Sequence, residues 1–372
     1  MKRSSYLIIL TIIIVSSGLF FACRKNDQTD LDKSAPPQRK LKVAVLLPLT
    51  GPAASGGVAS KEGFELALED IRAKFGNNID VAFEDTESNP TRAVTIYQQV
   101  MAAHSSQVVV LELSSVTKAI KPLLNRSVLA VATAVAIPDV ADPSIGLFRV
   151  FPTSQGVAHT AVEHAIGAGQ TNAAIIYVND DYGLGSMNSF KSQFENRGGK
   201  IILAEPFSLL EKDFRVQWAK ILKENPGCVW ITGYGPGYLS VLNQLRETSY
   251  QGIIMTDWSL SSPDYMQATE GVRDGTIVVM PESSPDLADR YTKRHGKEGF
   301  MVNVGYSYDT LMMTWAAFQA SDGSATNLLT KFQSTKSHKG AMGEISILDS
   351  GDSSVVYTAR KVANKKLVPL RE

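Results

Sequence analysis

Short apolar segments that alternate with helix-like segments constrain the fold of this chain more than any other feature. A first run predicts strands at 42–47, 79–83, 108–113 and 128–132, and a second run predicts strands at 173–178, 200–203, 228–232, 252–257 and 276–280. Near-continuous apolar strands of this length are typical of parallel sheets that are covered on both faces. The pattern therefore predicts an α/β fold with two doubly wound parallel-sheet lobes.

Helices are predicted between these strands from apolar spacing and from end signals. Phe64, Ala67, Leu68 and Ile71 follow the i, i+3, i+4, i+7 spacing of one helix face. Asn89-Pro90 is a typical helix cap followed by proline at the first helical position. Further helices are expected at 119–124, 155–168, 286–294, 308–320 and 327–332, and short strands at 344–348 and 354–361. This order predicts that lobe 1 comprises 41–150 and 282–350, and that lobe 2 comprises 151–281 and 351–372.

The N-terminus has the layout of an export signal. Lys2 and Arg3 precede a mostly apolar run from Tyr6 to Ala22, and Cys23 follows directly. We expect residues 1–23 to be a bacterial lipoprotein signal, with Cys23 lipidated. The alternative is an uncleaved membrane anchor, since the run is near the minimum of about 17 residues for a span. Residues 24–40 are polar and contain Pro36-Pro37, which predicts a flexible tether. Either interpretation places the body outside the cytoplasm, in the periplasm or on the surface of a bacterium.

Charge and motif content argue against several classes of function. Of 37 basic and 37 acidic side chains, 7 and 3 lie in residues 1–40, which leaves a mildly acidic body with 30 and 34. Such a body is unsuited to nucleic acid. The five histidines lack metal-ligand spacing, and Cys228 on a predicted strand is expected to be unpaired. The sequence has no P-loop and no G-x-S-x-G, and Tyr238 replaces the third glycine of a G-x-G-x-x-G pattern that starts at Gly233. We therefore expect no metal, no cofactor and no catalysis.

Several stretches, taken in order, resemble type I periplasmic (extracytoplasmic) solute-binding proteins, and most closely the branched-chain amino-acid-binding proteins of ABC importers. They are VAVLLPLTGPAASGGVASKEGFELALED at 43–70, EDTESNP at 84–90 with Ala93-Val94, FRV at 148–150, YVNDDYGLG at 177–185, ITGY at 231–234 and Tyr308-Asp309. The resemblance covers residues 41–360. It implies two lobes joined by three strand-like hinges, a ligand held in the cleft, and an ABC permease as partner.

The resemblance also implies ligand contacts in the first lobe. Ser114 and Ser115 match the region where a serine binds the ligand carboxylate, aided by a helix N-terminus. A plain helix cap is the alternative role. Ala134 and Ala136 match residues whose backbone contacts the ligand. Ala136 stands where the family has a threonine, so one carboxylate donor is missing; packing is the alternative role.

In the second lobe the resemblance implies an aromatic wall. Tyr182 and Tyr234 match wall tyrosines, with surface packing as the alternative. Asp257 is expected to pair a ligand cation, with a helix cap as the alternative, and Trp258 is expected to stack on the ligand. Gly56 stands where relatives often have tyrosine, which predicts a wider pocket.

These observations lead to one functional hypothesis and two alternatives. We expect a membrane-anchored binding protein that captures a small polar ligand, above all an amino acid, the branched-chain ones included, or a related small organic acid or amide, for an ABC importer. The first alternative is a ligand sensor that signals to a partner through the same two-lobed clamp. The second is a hydrolase or an oxidoreductase, which would require a catalytic constellation at the cleft.

Overall fold

The computed structural model describes residues 39–104, 106–245, 247–268 and 274–370. Residues Lys40–Glu372 form one compact unit. The predicted signal, Cys23 and the tether up to residue 38 lie outside the described residues. Within the described part of the chain, no helix combines the length and the hydropathy needed to cross a bilayer.

The first sheet has five parallel strands in the order β2-β1-β3-β4-β5. They are β1 Leu41–Leu47, β2 Ile79–Asp85, β3 Val108–Glu112, β4 Leu129–Thr133 and β5 Leu147–Arg149. The central strands β3 and β4 are buried at every position, because helices cover both faces. The connecting helices are α1 Ala54–Phe75, α2 Pro90–His104 and α3 Ser114–Ile120, and a 3₁₀ turn, Lys121–Leu123, continues α3.

The second sheet has seven strands in the order β14-β13-β10-β9-β8-β6-β7. Its strands are β6 Asn172–Val178, β7 Lys200–Phe207, β8 Cys228–Thr232, β9 Ile253–Asp257, β10 Ile277–Pro281, β13 Tyr357–Ala363 and β14 Lys366–Pro369. Strands β6 to β10 are parallel, and β13 and β14 add an antiparallel edge. The helices are α4 Ser154–Gly167, α5 Asp181–Asn196, α6 Arg215–Glu224, α7 Gly235–Leu245 and α8 Pro263–Ala268, with a 3₁₀ turn at Trp258–Ser261.

After β10 the chain returns to pack against the first sheet. This segment contains α9 Pro285–His295, α10 Met301–Ala320, α11 Ala325–Gln333 and the hairpin β11 His338–Gly340 with β12 Gly343–Ile345. Helix α10 packs along α1, and Arg290 on α9 pairs with Asp70 on α1 at 2.9 Å. Because α10 is buried on most sides, its sequence is apolar all round rather than along one stripe.

The first and the last crossings between the lobes run side by side. Arg149 at the end of β5 forms an isolated parallel bridge with Asp352. Its guanidinium is fully buried, and Nε and Nη2 lie 2.9 and 2.7 Å from Asp352 Oδ1. The Tyr357 hydroxyl also accepts a hydrogen bond from the Thr153 N–H at 2.8 Å. A buried ion pair and a tyrosine therefore join two of the connections on which relative motion of the lobes would depend.

The fold-class prediction is confirmed, with several local differences: among them, the helix predicted at 308–320 begins at Met301, and the strand predicted at 200–203 extends to Phe207. The helix predicted at 119–124 begins at Ser114, because α3 starts directly where β3 ends. The strand predicted at 344–348 is the short hairpin strand Gly343–Ile345. Strands β13 and β14 close the second sheet in the antiparallel direction, whereas the apolar pattern predicted only parallel pairing. The exact lobe boundaries stay a prediction.

Candidate functional site

A cavity lies between the two lobes, at the carboxyl ends of the parallel strands of both sheets. It encloses about 720 Å³ of empty space, including the part open to solvent. Two contacts close the lobes over it: Lys118 Nζ lies 2.6 Å from Asp181 Oδ1, and the Ser55 hydroxyl donates to Asp264 Oδ2 at 2.6 Å. The lining residues are Pro52, Ala53, Ser55, Gly56, Glu112, Leu113, Ser114, Ser115, Ala134, Ala136, Phe151, Asp180, Tyr182, Tyr234, Trp258, Ser259, Ser262, Tyr265, Phe300 and Asn303.

The first-lobe wall is formed by strand ends with strained backbone. Leu113, the cap residue directly before α3, has φ 74°, and Ala134, directly after β4, has φ 49°. Positive φ in non-glycine residues costs about 1–3 kcal/mol and is concentrated at ligand sites. Because the cap residue of α3 is Leu113, no side chain caps the helix. Ser114 and Ser115 are thus the first two helical residues rather than its cap, and both line the cavity.

Glu112, the last residue of β3, places a carboxyl group in this wall. It is 1% exposed, and its Oε2 forms no hydrogen bond with any described residue. Burial raises the pKa of Glu112 to about 8, and the Ser60 hydroxyl only partly offsets this by favouring the ionised form. The cavity therefore contains a buried acid that is mostly protonated at neutral pH, and none of the described residues that line the cavity is a lysine, arginine or histidine that could balance its ionised form.

The second-lobe wall is aromatic. Tyr234, Tyr182, Trp258 and Phe151 form a continuous row, with successive ring centroids 6.1, 6.2 and 5.4 Å apart. Helix α5 can begin so close to β6 because Gly183 has no side chain; a Cβ there would collide with the carbonyl oxygen of Val178. Aromatic rings with polar tips provide a large contact area for a small amphipathic ligand.

Asp180 is the second carboxyl group that lines the cavity, and it is well engaged. Its Oδ2 accepts a hydrogen bond from the Tyr234 hydroxyl at 2.6 Å, and its Oδ1 caps α5 through the Gly183 N–H at 2.9 Å. Burial raises its pKa, while these hydrogen bonds act in the opposite direction. Asp180 therefore orients the Tyr234 ring and fixes the start of α5 at once.

Asp257 lies next to the cavity rather than in its lining. The carboxyl group is 1% exposed, sits behind the aromatic wall and does not line the cavity. Its Oδ2 accepts from the hydroxyls of Tyr182 and Thr232, both at 2.7 Å, and its Oδ1 caps the 3₁₀ turn through the Ser259 N–H at 2.9 Å. The geometry favours the capping role over direct contact with a ligand cation, because the carboxylate holds Tyr182 in place instead.

The structure brings together seven of the eight residues singled out from the sequence. They are Ser114, Ser115, Ala134, Ala136, Tyr182, Tyr234 and Trp258. Sequence reasoning did not single out Glu112, Asp180, Phe300 or Asn303. A lone acid in the apolar run VVVLEL could have identified Glu112. No motif marks Phe300 or Asn303, because both reach the cavity only through the returning segment.

Comparison with known proteins agrees with this architecture. The sequence profile of periplasmic binding proteins matches residues 40–358. The chain belongs to the periplasmic binding protein family. It is 23% identical over 328 residues to a Leu/Ile/Val-binding protein of Citrobacter freundii, which covers 84% of this chain and 88% of the relative. A leucine-specific-binding protein of Salmonella typhimurium is 23% identical over 249 residues, covering 65% of this chain and 67% of the relative.

Solved structures of this family share the fold. A leucine-binding protein from Thermotoga maritima has a TM-score of 0.81 at 23% identity, covering 88% of this chain and 97% of that one. A solute-binding protein of an ABC transporter from R. palustris, in complex with benzoate, has a TM-score of 0.80 at 19% identity, covering 89% and 95%. The resemblance to type I periplasmic solute-binding proteins is therefore confirmed. These relatives are binding proteins rather than enzymes, and the family implies an extracytoplasmic location.

Proposed function

We propose that this protein is the substrate-binding component of an ABC importer and captures a small polar organic ligand between its lobes. The observation that carries the proposal is the interlobe cavity, which is built from strand ends of both sheets and closed by contacts between the lobes. A ligand held there touches both lobes, so binding favours closure about the hinges. Closure is the signal that a permease would read.

The lining supports an amino acid as the ligand class. Ser114 and Ser115 offer hydroxyl and backbone N–H donors at a helix start without a side-chain cap, which suits a carboxylate. The aromatic row from Tyr234 to Phe151 suits an apolar side chain. Two relatives are named for leucine or Leu/Ile/Val binding, whereas the benzoate complex shows that the same fold also accepts aromatic acids.

Ligand-induced stabilisation tests the proposal. The full chain, purified in mild detergent, is unfolded by heat against a panel of amino acids, amides and small carboxylates, benzoate included. A true ligand raises the melting temperature, because it binds only the native state. Ser115→Ala and Tyr182→Ala weaken binding by calorimetry, while Ser249→Ala, at an exposed serine outside the cavity, does not. The assignment of the cleft is wrong if both cavity variants bind the ligand with unchanged affinity. The proposal that such solutes are transported is wrong if no compound of the panel raises the melting temperature.

We further propose that Cys23 carries a lipid anchor and that residues 24–40 tether the binding unit to the membrane. The support is the charged start, the apolar run and the small residue before Cys23. Anchoring keeps the binder near its permease. Mass spectrometry of the mature N-terminus decides the point: a lipidated Cys23 as first residue supports it, and an intact Met1 supports the uncleaved anchor.

A further inference from the structure

A ligand can supply the hydrogen-bond partner that the buried Glu112 carboxyl group lacks. It belongs to β3 and opens into the cavity from the strand end that also carries Ser114 and Ser115. Its Oε2 is buried and forms no hydrogen bond with any described residue. A buried, unsatisfied carboxyl oxygen is costly, so such a group calls for a partner that the protein itself does not supply.

The Ser60 hydroxyl hydrogen-bonds the Glu112 carboxyl group, but no described side chain hydrogen-bonds its Oε2. Asn303 lies close, but its Nδ2 already points to Ser60 Oγ at 3.2 Å and to the Gly56 carbonyl at 3.3 Å. Gly56 lies beside Glu112 in the cavity lining: a Cβ there would be in ordinary van der Waals contact with Glu112 Oε1, at 3.9 Å. Among the described residues that line the cavity, none is lysine, arginine or histidine.

The other carboxyl groups near the site are already engaged. Asp257 lies behind the wall with both oxygens hydrogen-bonded, and both oxygens of Asp180 accept hydrogen bonds from protein groups. Glu112 is thus the one described carboxyl group at the cavity with an oxygen free of hydrogen bonds. A hydrogen bond from a protonated amine to an ionised carboxylate is charge-assisted and roughly twice as strong as one between neutral groups.

We propose that Glu112 is a specificity-determining residue whose Oε2 receives a protonated amine of the ligand, so that the cavity selects amines over isosteric compounds that lack the nitrogen. The inference rests on the proposed function and names the ligand group that the first lobe recognises. In an α-amino acid the amine and the carboxylate are attached to one carbon. Glu112 and Ser114–Ser115, adjacent along the chain, are placed to bind these two groups together.

The proposal has a pH signature. Without ligand the carboxyl group of Glu112, with a pKa of about 8, is mostly protonated at pH 6. An amine binds the ionised form, so its affinity rises by about tenfold or more between pH 6 and pH 8. Of the other titratable groups that line the cavity, Tyr182, Tyr234 and Tyr265 have pKa values raised above 10 by burial and stay neutral in this range. Asp180 is present in both the wild type and Glu112→Gln, so its titration does not contribute to the difference between them.

The test is calorimetry on the full chain at pH 6, 7 and 8, with L-leucine, L-isoleucine and L-phenylalanine and their analogues without the amine, 4-methylpentanoate, 3-methylpentanoate and 3-phenylpropanoate. Wild type is compared with Glu112→Gln and with the matched control Glu282→Gln, at an exposed residue outside the cavity. Glu112→Gln preserves the side-chain volume, and circular dichroism checks its fold. We expect the amino acid that binds to lose about tenfold or more in affinity at pH 8 in Glu112→Gln only, together with its pH dependence.

Three results overturn the inference, and those that spare the binding function can be told apart from the one that does not. If an analogue without the amine binds wild type as tightly as its amino acid, or if Glu112→Gln changes affinity less than twofold, Glu112 does not select amines while the binding function stands. If neither the amino acids nor the analogues bind at any pH, and the broader panel is silent as well, the proposed function fails and this inference fails with it.

Discussion

The buried acid at the cavity should make the unliganded protein less stable as the pH rises. Burial raises the pKa of Glu112 from 4.5 to about 8. Between these values the unfolded chain has released the proton while the folded protein retains it. The free energy of unfolding contributed by this group therefore falls by about 1.4 kcal/mol per pH unit, because the native state binds more protons than the unfolded state. The loss reaches about 3 kcal/mol at pH 7 and levels off above pH 8.

Glu112→Gln removes the titratable carboxyl group and keeps a side chain of about the same volume at this position. We expect the stability difference between the variant and wild type to shift in favour of the variant by about 3 kcal/mol from pH 4.5 to pH 7. The amide can add a fixed offset, because its NH₂ group also needs a partner in the wall. The change of the difference with pH is therefore the diagnostic quantity, rather than the difference at any one pH.

Urea unfolding of both proteins at pH 5, 6, 7 and 8, without ligand and followed by circular dichroism, measures this difference. Asp85→Asn is the matched control. Burial acts to raise the pKa of Asp85, but the Thr50 hydroxyl and three backbone N–H groups outweigh it and lower the pKa. The stability that Asp85 contributes is lost only as the pH falls through its lowered pKa, so its variant differs from wild type by a constant amount from pH 5 to 8. A constant difference for Glu112→Gln as well would refute the reasoning about the buried acid.

Three further predictions concern the hinge, the core and the lobe contact. Asp352→Ala leaves the buried Arg149 guanidinium without its counter-ion, and we expect it to lower the free energy of unfolding by about 3 kcal/mol in urea titrations; a loss below about 0.5 kcal/mol would contradict the structural role of the pair. Burial raises the pKa of the Cys228 thiol to about 12, so peptide mapping should find Cys228 unmodified by iodoacetamide at pH 8 in the native protein and alkylated after unfolding; labelling of the native protein would argue against a buried thiol. Lys118→Ala removes the contact with Asp181, and since Lys118 is 66% exposed we expect ligand affinity to fall by about fivefold or less, with the effect fading at high salt; a salt-independent loss would point to a different cause.

The parallel core could be predicted from sequence because its signal is local. Residues 108–111 and 129–132 are continuous apolar runs, and such runs are typical of strands covered on both faces. The antiparallel edge was not predicted as such, because strands half covered by neighbours carry no comparable run. Tyr357–Ala363 reads TARK in its middle and is only partly buried. The antiparallel direction of this strand is set by the chain crossing from the first lobe that precedes it, and local sequence carries no signal for such a crossing.

The candidate site shows the same division between local and tertiary signals. The predicted strand ends indicated which loops surround the cavity. Seven predicted residues lie together there because parallel strands present their carboxyl ends at one edge of the sheet. Local sequence does not determine which way a side chain points after the end of a strand. Asp257 turns away from the cavity because the Ser259 N–H and the Thr232 and Tyr182 hydroxyls satisfy it from behind. Phe300 and Asn303 reach the cavity across a distance in sequence that no motif spans.

Three features that lower the stability of the protein lie together in the first-lobe wall, which argues that this wall is preorganised for a ligand. Leu113 and Ala134 hold positive φ, and the Oε2 of Glu112 is buried without a hydrogen bond from any described residue, all within the ends of two adjacent strands. Each feature lowers the stability of the unliganded protein, and each lies where a bound ligand can reach it. A ligand that satisfies Glu112 recovers part of this cost as binding free energy, with no new contact required in the second lobe. Under the proposed function, the aromatic row would then close on a ligand already fixed in orientation, so that the first lobe would select the ligand and the second lobe would report its presence by closing.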